Sequence, residues 1–341
     1  MSVCLFASEY AAVVGQNPYR HPVLVLFEVW KRFDAASFHN AQHRVSQSRH
    51  NVEIETLDSA DCVLDHVVRS NEELNKVVQD MTKVLSRGDT PLAKVLVDSR
   101  AQVTKVMKKD VESGKISQQR EQEVVKRITS QLQQHYGKQR EPVTIRDLGV
   151  SVKNNNDKFY VKTLFNIPEG AVITRVNLGG RIDGLVDDRL IEIKNRKSRF
   201  MVPVPQYDLI QLHCYMILLK KKQADLIEHL PSGKKKTTLV GFDPVLWNRT
   251  LTGAAQFIQV LNILLADPEA QFYLLSCGGD AEAQSEWYDA MLPSTLPPPF
   301  RHFIANRQDI SEPRDSPRLF PKQQQWPANP DEPLLVTHPN N

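Results

Sequence analysis

Cysteine is scarce in this chain, and Cys4, Cys62, Cys214 and Cys277 stand far apart with no metal-ligand spacing. Such a scatter offers neither a disulfide framework nor a zinc or iron–sulfur site. Long apolar runs are missing as well. Nothing approaches the roughly 20 apolar residues of a membrane span, and the first segment carries Glu9 where a secretory signal would be apolar. The expected location is therefore intracellular, in cytoplasm or nucleus, with no membrane partner. Charge of one sign is also lacking: 43 Lys and Arg against 40 Asp and Glu leave a net +3, too little by itself to argue for a nucleic-acid partner. There is no internal repeat. What is present is a 41% share of apolar residues over 341 positions, enough for one large core or two small ones.

The most informative stretch runs from Gly180 to Arg196, two apolar strand-like runs around an Asp187-Asp188 turn. Charged residues sit where a buried strand should be apolar. Side chains alternate along a strand, so Glu192 and Lys194 share one face while Ile191 and Ile193 share the other. A turn symmetric about Asp187-Asp188 places Asp183 opposite Glu192. Two carboxylates and an ammonium then converge. Carboxylates so close repel unless a cation lies between them, and hard oxygen ligands suit Mg²⁺ or Mn²⁺. Lys194 beside such an ion could orient a water or stabilise charge developing on phosphorus. A solvated hairpin with an ordinary cross-strand salt bridge is the competing reading. Downstream, the stretch from Tyr207 to Lys221 predicts an amphipathic helix with Gln211 and Tyr215 four apart, hence on one face. Taken alone these two are equally a helix edge with hydrogen-bonding side chains.

An Asp before a strand, Glu-x-Lys on the next and Gln-x-x-x-Tyr on a following helix together resemble the PD-(D/E)XK nucleases, particularly the lambda-exonuclease-like and YqaJ-like viral recombinase branch. Ile182 stands where the usual proline precedes the Asp. The opening, Phe6 to Arg20, is similar to that of the YqaJ-like proteins. Physically it reads as a Ser8 N-cap, an apolar face from Ala11, Ala12 and Val14, and a Gly15 stop. The resemblance makes Ser8 a DNA phosphate contact; a routine cap is the alternative. It also implies an acidic residue on the helix upstream of the hairpin. The spacing of Val124, Val125, Ile128 and Leu132 predicts that helix over Gln118–Tyr136, and counting back from Val124 gives Glu121, with Glu123 as rival. Both are equally first-turn acids that favour the helix dipole. Some relatives of the RecB branch hold an iron–sulfur cluster, for which this chain lacks the grouped cysteines.

Basic residues cluster at Lys194 to Arg199, Lys220 to Lys222 and Lys234 to Lys236. Arg196, Lys197 and Arg199 continue from the proposed catalytic strand and are expected to meet phosphates, whereas Lys234 to Lys236 reads as a solvated turn between strands near Ala224–His229 and Thr237–Phe242. The organisation expected is N-terminal helices over 1–32, a helical insertion over 33–110, a nuclease core over 111–292 and a disordered tail over 293–341, rich in Pro, Gln, Asn and Asp.

The fold class implied is mixed α/β, a restriction-endonuclease-like central mixed sheet flanked by helices. The resemblance covers residues 1–30 and about 115–250. It implies metal-dependent hydrolysis of DNA, most simply an exonuclease on linear duplex ends in recombination or replication, in the host cell if viral. Asp183, Glu192, the Ile193 carbonyl and Glu121 would hold Mg²⁺ or Mn²⁺; Lys194, Gln211 and Tyr215 would complete the catalytic set. A single-strand annealing protein and a homo-oligomeric ring are partners of that kind. Two alternatives stay open: an inactive DNA-binding protein on a nuclease fold, and a structure-specific endonuclease.

Overall fold

The structure is a computed structural model that describes residues 1–50, 52–88, 90–147, 158–167, 172–173, 175–186, 189–293 and 323–324. It begins with a strand that the sequence reading did not anticipate. In β1 (Ser2–Phe6), Val3 and Leu5 alternate into the core. This strand pairs in parallel with β3 (Arg175–Gly180), which pairs antiparallel with β2 (Tyr160–Asn166). A second sheet has the order β4 (Gly184–Val186), β5 (Arg189–Asn195), β6 (Gln223–His229), β7 (Lys235–Gly241) and β8 (Gln323–Gln324), parallel between β5 and β6 and antiparallel elsewhere. The expected mixed α/β class is what forms, but as two mixed sheets. The path from β3 to β4 leaves the ladder at Arg181, Ile182 and Asp183. Apart from Gln323–Gln324, the expected tail from 294 onward lies outside the described residues.

Helices supply the rest: α1 (Ala7–Val13), α2 (Pro22–Phe33), α3 (Ala35–Ser48), α4 (Ala60–Ser70), α5 (Glu72–Arg87), α6 (Leu92–Glu112), α7 (Gln118–Asp147), α8 (Gln206–Leu219), α9 (Pro244–Ala266), α10 (Pro268–Ser276) and α11 (Ala281–Met291). Helix α1 starts two residues earlier than expected. Phe6 is its N-cap, and the Glu9 carboxylate accepts from the Phe6 N–H at 2.9 Å, so Ser8 is inside the first turn and exposed rather than a cap. The stop at Gly15 is as expected. Its φ of 68° is left-handed, and Gln16 N–H to Ala11 C=O and Gly15 N–H to Ala12 C=O close a Schellman motif.

Two apolar cores organise these elements. The larger takes β1, α1, α2, α3, α8 and α9 around the first sheet. The smaller joins Leu64 and Val68 of α4, Leu74, Val77 and Met81 of α5, Val103 and Met107 of α6, and Val124, Ile128 and Leu132 of α7. Helix α3, inside the expected insertion, packs Phe38, Ala41 and Val45 into the larger core instead. Helix α7 belongs to both regions. Its first half lies in the helical core, then it continues past Gly137 and through Pro142, and Ile145 packs on Val186, Ile191, Ile193 and Ile227 of the second sheet. Asn195 at the end of β5 anchors it, bonding Thr144 Oγ1 at 2.9 Å and the Gly137 carbonyl at 3.1 Å.

Helix α8 lies over strands of both sheets and is pinned at its middle by His213. The buried ring donates from Nδ1 to the Leu209 carbonyl at 2.7 Å and accepts at Nε2 from the Asp243 N–H at 2.8 Å, which fixes one neutral tautomer. Burial holds this imidazole below its ordinary pKa. The unfolded chain therefore takes up a proton near pH 6.5 that the native ring refuses, and the contribution of this residue to stability falls as pH drops through that region. Substituting His213→Gln should cost about 1–3 kcal/mol for the disturbed bonds and flatten the loss of stability between pH 7 and 5. Denaturant titrations of both proteins across that window check this; parallel curves would show that the ring does not titrate on unfolding.

Candidate active site

The hairpin forms in the expected register. Gly184 pairs with Ile191, Leu185 with Leu190 and Val186 with Arg189, which sets Asp183 across from Glu192; the turn residues 187–188 lie outside the described set. Asp183 Oδ2 accepts from the Ile193 N–H at 2.7 Å, so a side chain rather than a strand carbonyl meets that amide. Glu192 and Lys194 alternate onto the face of β5 that α8 covers, with Arg196 just past its end. Lys194 Nζ donates to Glu192 Oε1 at 2.7 Å and to Gln211 Oε1 at 2.8 Å, and Gln211 Nε2 donates to the Tyr215 hydroxyl at 2.9 Å. Asp183, Glu192, Lys194, Gln211 and Tyr215, separated by up to 32 positions in sequence, are thus one connected patch.

Gly180 makes the close approach possible. A Cβ there would lie 2.9 Å from a Tyr215 ring carbon, 3.2 Å from Ala7 and 3.3 Å from Leu218. Any larger residue would push α8 from the hairpin and pull Gln211 from Lys194.

The electrostatics are those of crowded carboxylates. Glu192 is only 3% exposed. Burial, reinforced by the Asp183 charge and only partly opposed by Lys194, pushes its carboxyl up to about 8. Asp183 is also raised by burial, against the Ile193 N–H and Lys194. Burial works against the Lys194 ammonium, but Glu192 and Asp208 outweigh it and the net shift is upward. Tyr215 is raised by burial and by the Glu192 charge, so its hydroxyl is neutral.

The helix carboxylate is not the one the sequence singled out. Glu121 lies in the first turn of α7, beside the helical core, and Glu123 pairs with Arg120. On α7 the acid within electrostatic reach of Asp183, Glu192 and Lys194 is Glu141, itself raised by burial and by Glu192. Glu121 precedes it by 20 residues on the same helix, roughly 30 Å along the axis at 1.5 Å per residue.

The basic residues also need correcting. Arg196 is not a free phosphate contact: its Nη2 bonds Asp208 Oδ2 at 2.6 Å and its Nε bonds Glu228 Oε1 at 2.7 Å. Lys236, expected in a solvated turn, is buried and donates to Glu228 Oε2 at 3.2 Å and to the Met201 carbonyl at 3.1 Å. Lys197 and Arg199 are exposed, as a phosphate contact requires. No sequence motif marks Asp208 or Glu228. Asp208 lies one turn before Gln211, and Glu228 is a charge in an apolar strand, the signal that had marked Glu192.

A hard divalent cation fits this donor set. Among the described residues no three His, Cys, Asp or Glu side chains are already gathered to hold an ion, yet Glu192 Oε2 is buried with no N–H donor and with the Asp183 carboxylate as its neighbour. A small ion that keeps several of its waters needs only one or two carboxylates.

No protein-family model matches the chain, and no curated protein matches it. Among solved structures it is similar to the crystal structure of SSO0001 at 14% identity and a TM-score of 0.30, over 41% of this chain and 65% of that one, just under two thirds of its length. It is also similar to an alkaline exonuclease (LHK-Exo) from Laribacter hongkongensis at 20% identity and a TM-score of 0.26, over 38% of this chain and 69% of that one. Likenesses this loose bear on no residue of the site. Among the described residues no helix is long and apolar enough to cross a membrane.

Between about pH 4.5 and 8 the native Glu192 carboxyl keeps a proton that the unfolded chain has lost, so stability falls as pH rises through that window. Glu192→Gln should remove this slope, read as melting temperature between pH 6.5 and 8.5, and Mg²⁺ should stabilise the native protein more at pH 8.5 than at pH 6.5. A wild-type slope equal to that of the variant would mean Glu192 is already ionised.

Proposed function

We propose that this chain is a metal-dependent nuclease that hydrolyses DNA phosphodiesters, working as an exonuclease on duplex ends. The observation that carries the reading is the orphaned, buried Glu192 Oε2 beside Asp183, at the head of the bonded series Lys194, Gln211 and Tyr215. Mg²⁺ or Mn²⁺ held by Asp183, Glu192 and the Ile193 carbonyl would polarise the scissile phosphate and lower the pKa of a bound water. Lys194 would orient the attacking water and offset charge developing on the phosphate oxygens. Gln211 fixes where Lys194 points, and Tyr215 fixes Gln211. Glu141 faces the same patch and serves as a further acidic group, in the role first given to Glu121. Lys197 and Arg199, with exposed Ser8 at the start of α1, take phosphates of the bound strand. A single-strand annealing protein and further copies of the chain are the partners such end processing would use.

Incubation with linear duplex, circular duplex and single-stranded DNA in Mg²⁺, Mn²⁺ or EDTA tests the reading. Metal-dependent loss of the linear duplex alone is expected, whereas nicking of circles would make it an endonuclease and binding without cleavage a DNA-binding protein. Asp183→Ala, Glu192→Ala and Lys194→Ala should each abolish cleavage in a folded protein. Lys194→Arg should fail as well, because a planar guanidinium does not replace a compact ammonium. An Asp183→Ala protein that degrades DNA at the wild-type rate ends the assignment.

The two helix acids separate cleanly. Glu141→Gln should raise the Mg²⁺ concentration for half-maximal activity several-fold, while Glu121→Gln should leave the metal titration unchanged. The reverse result would return the role to Glu121.

A further inference from the structure

Among the described residues, Tyr19 is the most exposed large aromatic, at 79%. The loop that presents it is well fixed. Gly15 turns the chain, Asn17 Oδ1 accepts from the Tyr19 N–H at 3.0 Å, and the next residue, Arg20, pairs with Glu28 of α2. The ring meets Tyr207 edge-on with centroids 5.9 Å apart. Tyr207 lies beside Arg196 and Asp208, and it falls four residues before Gln211 and eight before Tyr215, on the same stripe of α8. The aromatic pair therefore continues the face of α8 that meets Lys194. Residues four apart on a helix lie about 6 Å apart along its axis, so the Tyr19 ring, packed on Tyr207, extends the stripe of Gln211 and Tyr215 by one further step toward the start of α8. Exposed Lys197 and Arg199 precede α8 in the same connection. Cationic side chains along a backbone path with aromatic faces beside it are the combination that binds unpaired strands without reading their sequence.

We propose that Tyr19, braced by Tyr207, is a stacking platform for an unpaired nucleobase of the substrate strand, a few nucleotides from the cleaved phosphate. The inference rests on the nuclease reading and adds a substrate class to it: a strand end peeled from its complement at the site.

Binding of a short duplex with a fluorescent end, measured in EDTA, tests the platform against Tyr19→Ala and Tyr19→Trp, with cleavage followed in parallel in Mg²⁺. Tyr19→Ala should leave the melting temperature unchanged and weaken binding about 5- to 150-fold, the range for one lost base stack. Tyr19→Trp should keep the affinity, with its fluorescence quenched by DNA. An abasic nucleotide placed in turn at the three positions nearest the cut should cost the wild type a similar factor at one of them and cost Tyr19→Ala nothing there. Wild-type affinity in Tyr19→Ala, or equal abasic losses in both proteins, overturns the platform while cleavage by the wild type leaves the nuclease reading standing. A wild type that neither binds nor cleaves DNA overturns both.

Discussion

The arrangement hangs on the polar face of one strand. Strand β5 carries Glu192 and Lys194 on the side covered by α8, with Arg196 just past its end, and every charge buried there must be paired or remain costly. Most are paired. Lys194 takes Glu192, Arg196 takes Asp208 and Glu228, and Lys236 reaches Glu228 from β7. The pairing is not complete, because Asp183 and the second oxygen of Glu192 add negative charge with no cation of their own among the described residues. Without an ion the protein meets that excess by holding a proton on Glu192. A cation would release the proton, so metal affinity and pH are linked at this position.

Stability alone does not account for such a network. Apolar side chains of similar volume often hold a buried contact as well as an ion pair does, or better. They could not, however, hold Asp208 within 3.9 Å of Lys194 while tying it to Arg196. That linkage fixes the first turn of α8 against β5, and one turn later Gln211 arrives at Lys194. Gly180 secures the same helix from the other side by admitting Tyr215. Lys194 is therefore positioned by charge at one end of α8 and by the absence of a side chain at the other.

What was legible in the sequence was local. The hairpin register followed from a two-residue turn, and the Gln211 and Tyr215 stripe from helical periodicity; both appear as expected. What was not legible depended on partners distant in sequence. A run of basic residues reads as surface, and nothing near Arg196 or Lys236 announces that Asp208 and Glu228 will bury them. The strand Ser2–Phe6 is short, and only its pairing with β3 makes it one. For the helix acid, counting from Val124 located the apolar face of α7 correctly, since Val124, Ile128 and Leu132 are all buried. That face, though, packs on the helical core rather than on the sheet.

Helix α7 thus has two faces of consequence at two ends, and its length connects them. Thirty residues span roughly 45 Å, so the first half can bury its valine and isoleucine against α4, α5 and α6 while the second half delivers Glu141 to the hairpin. Asn195, bonded to Gly137 and Thr144, clamps the second half to the strand that carries Glu192 and Lys194. The helical region therefore meets the site through one helix, which buries its first half among α4, α5 and α6 and carries Glu141 to the strand that holds Glu192 and Lys194.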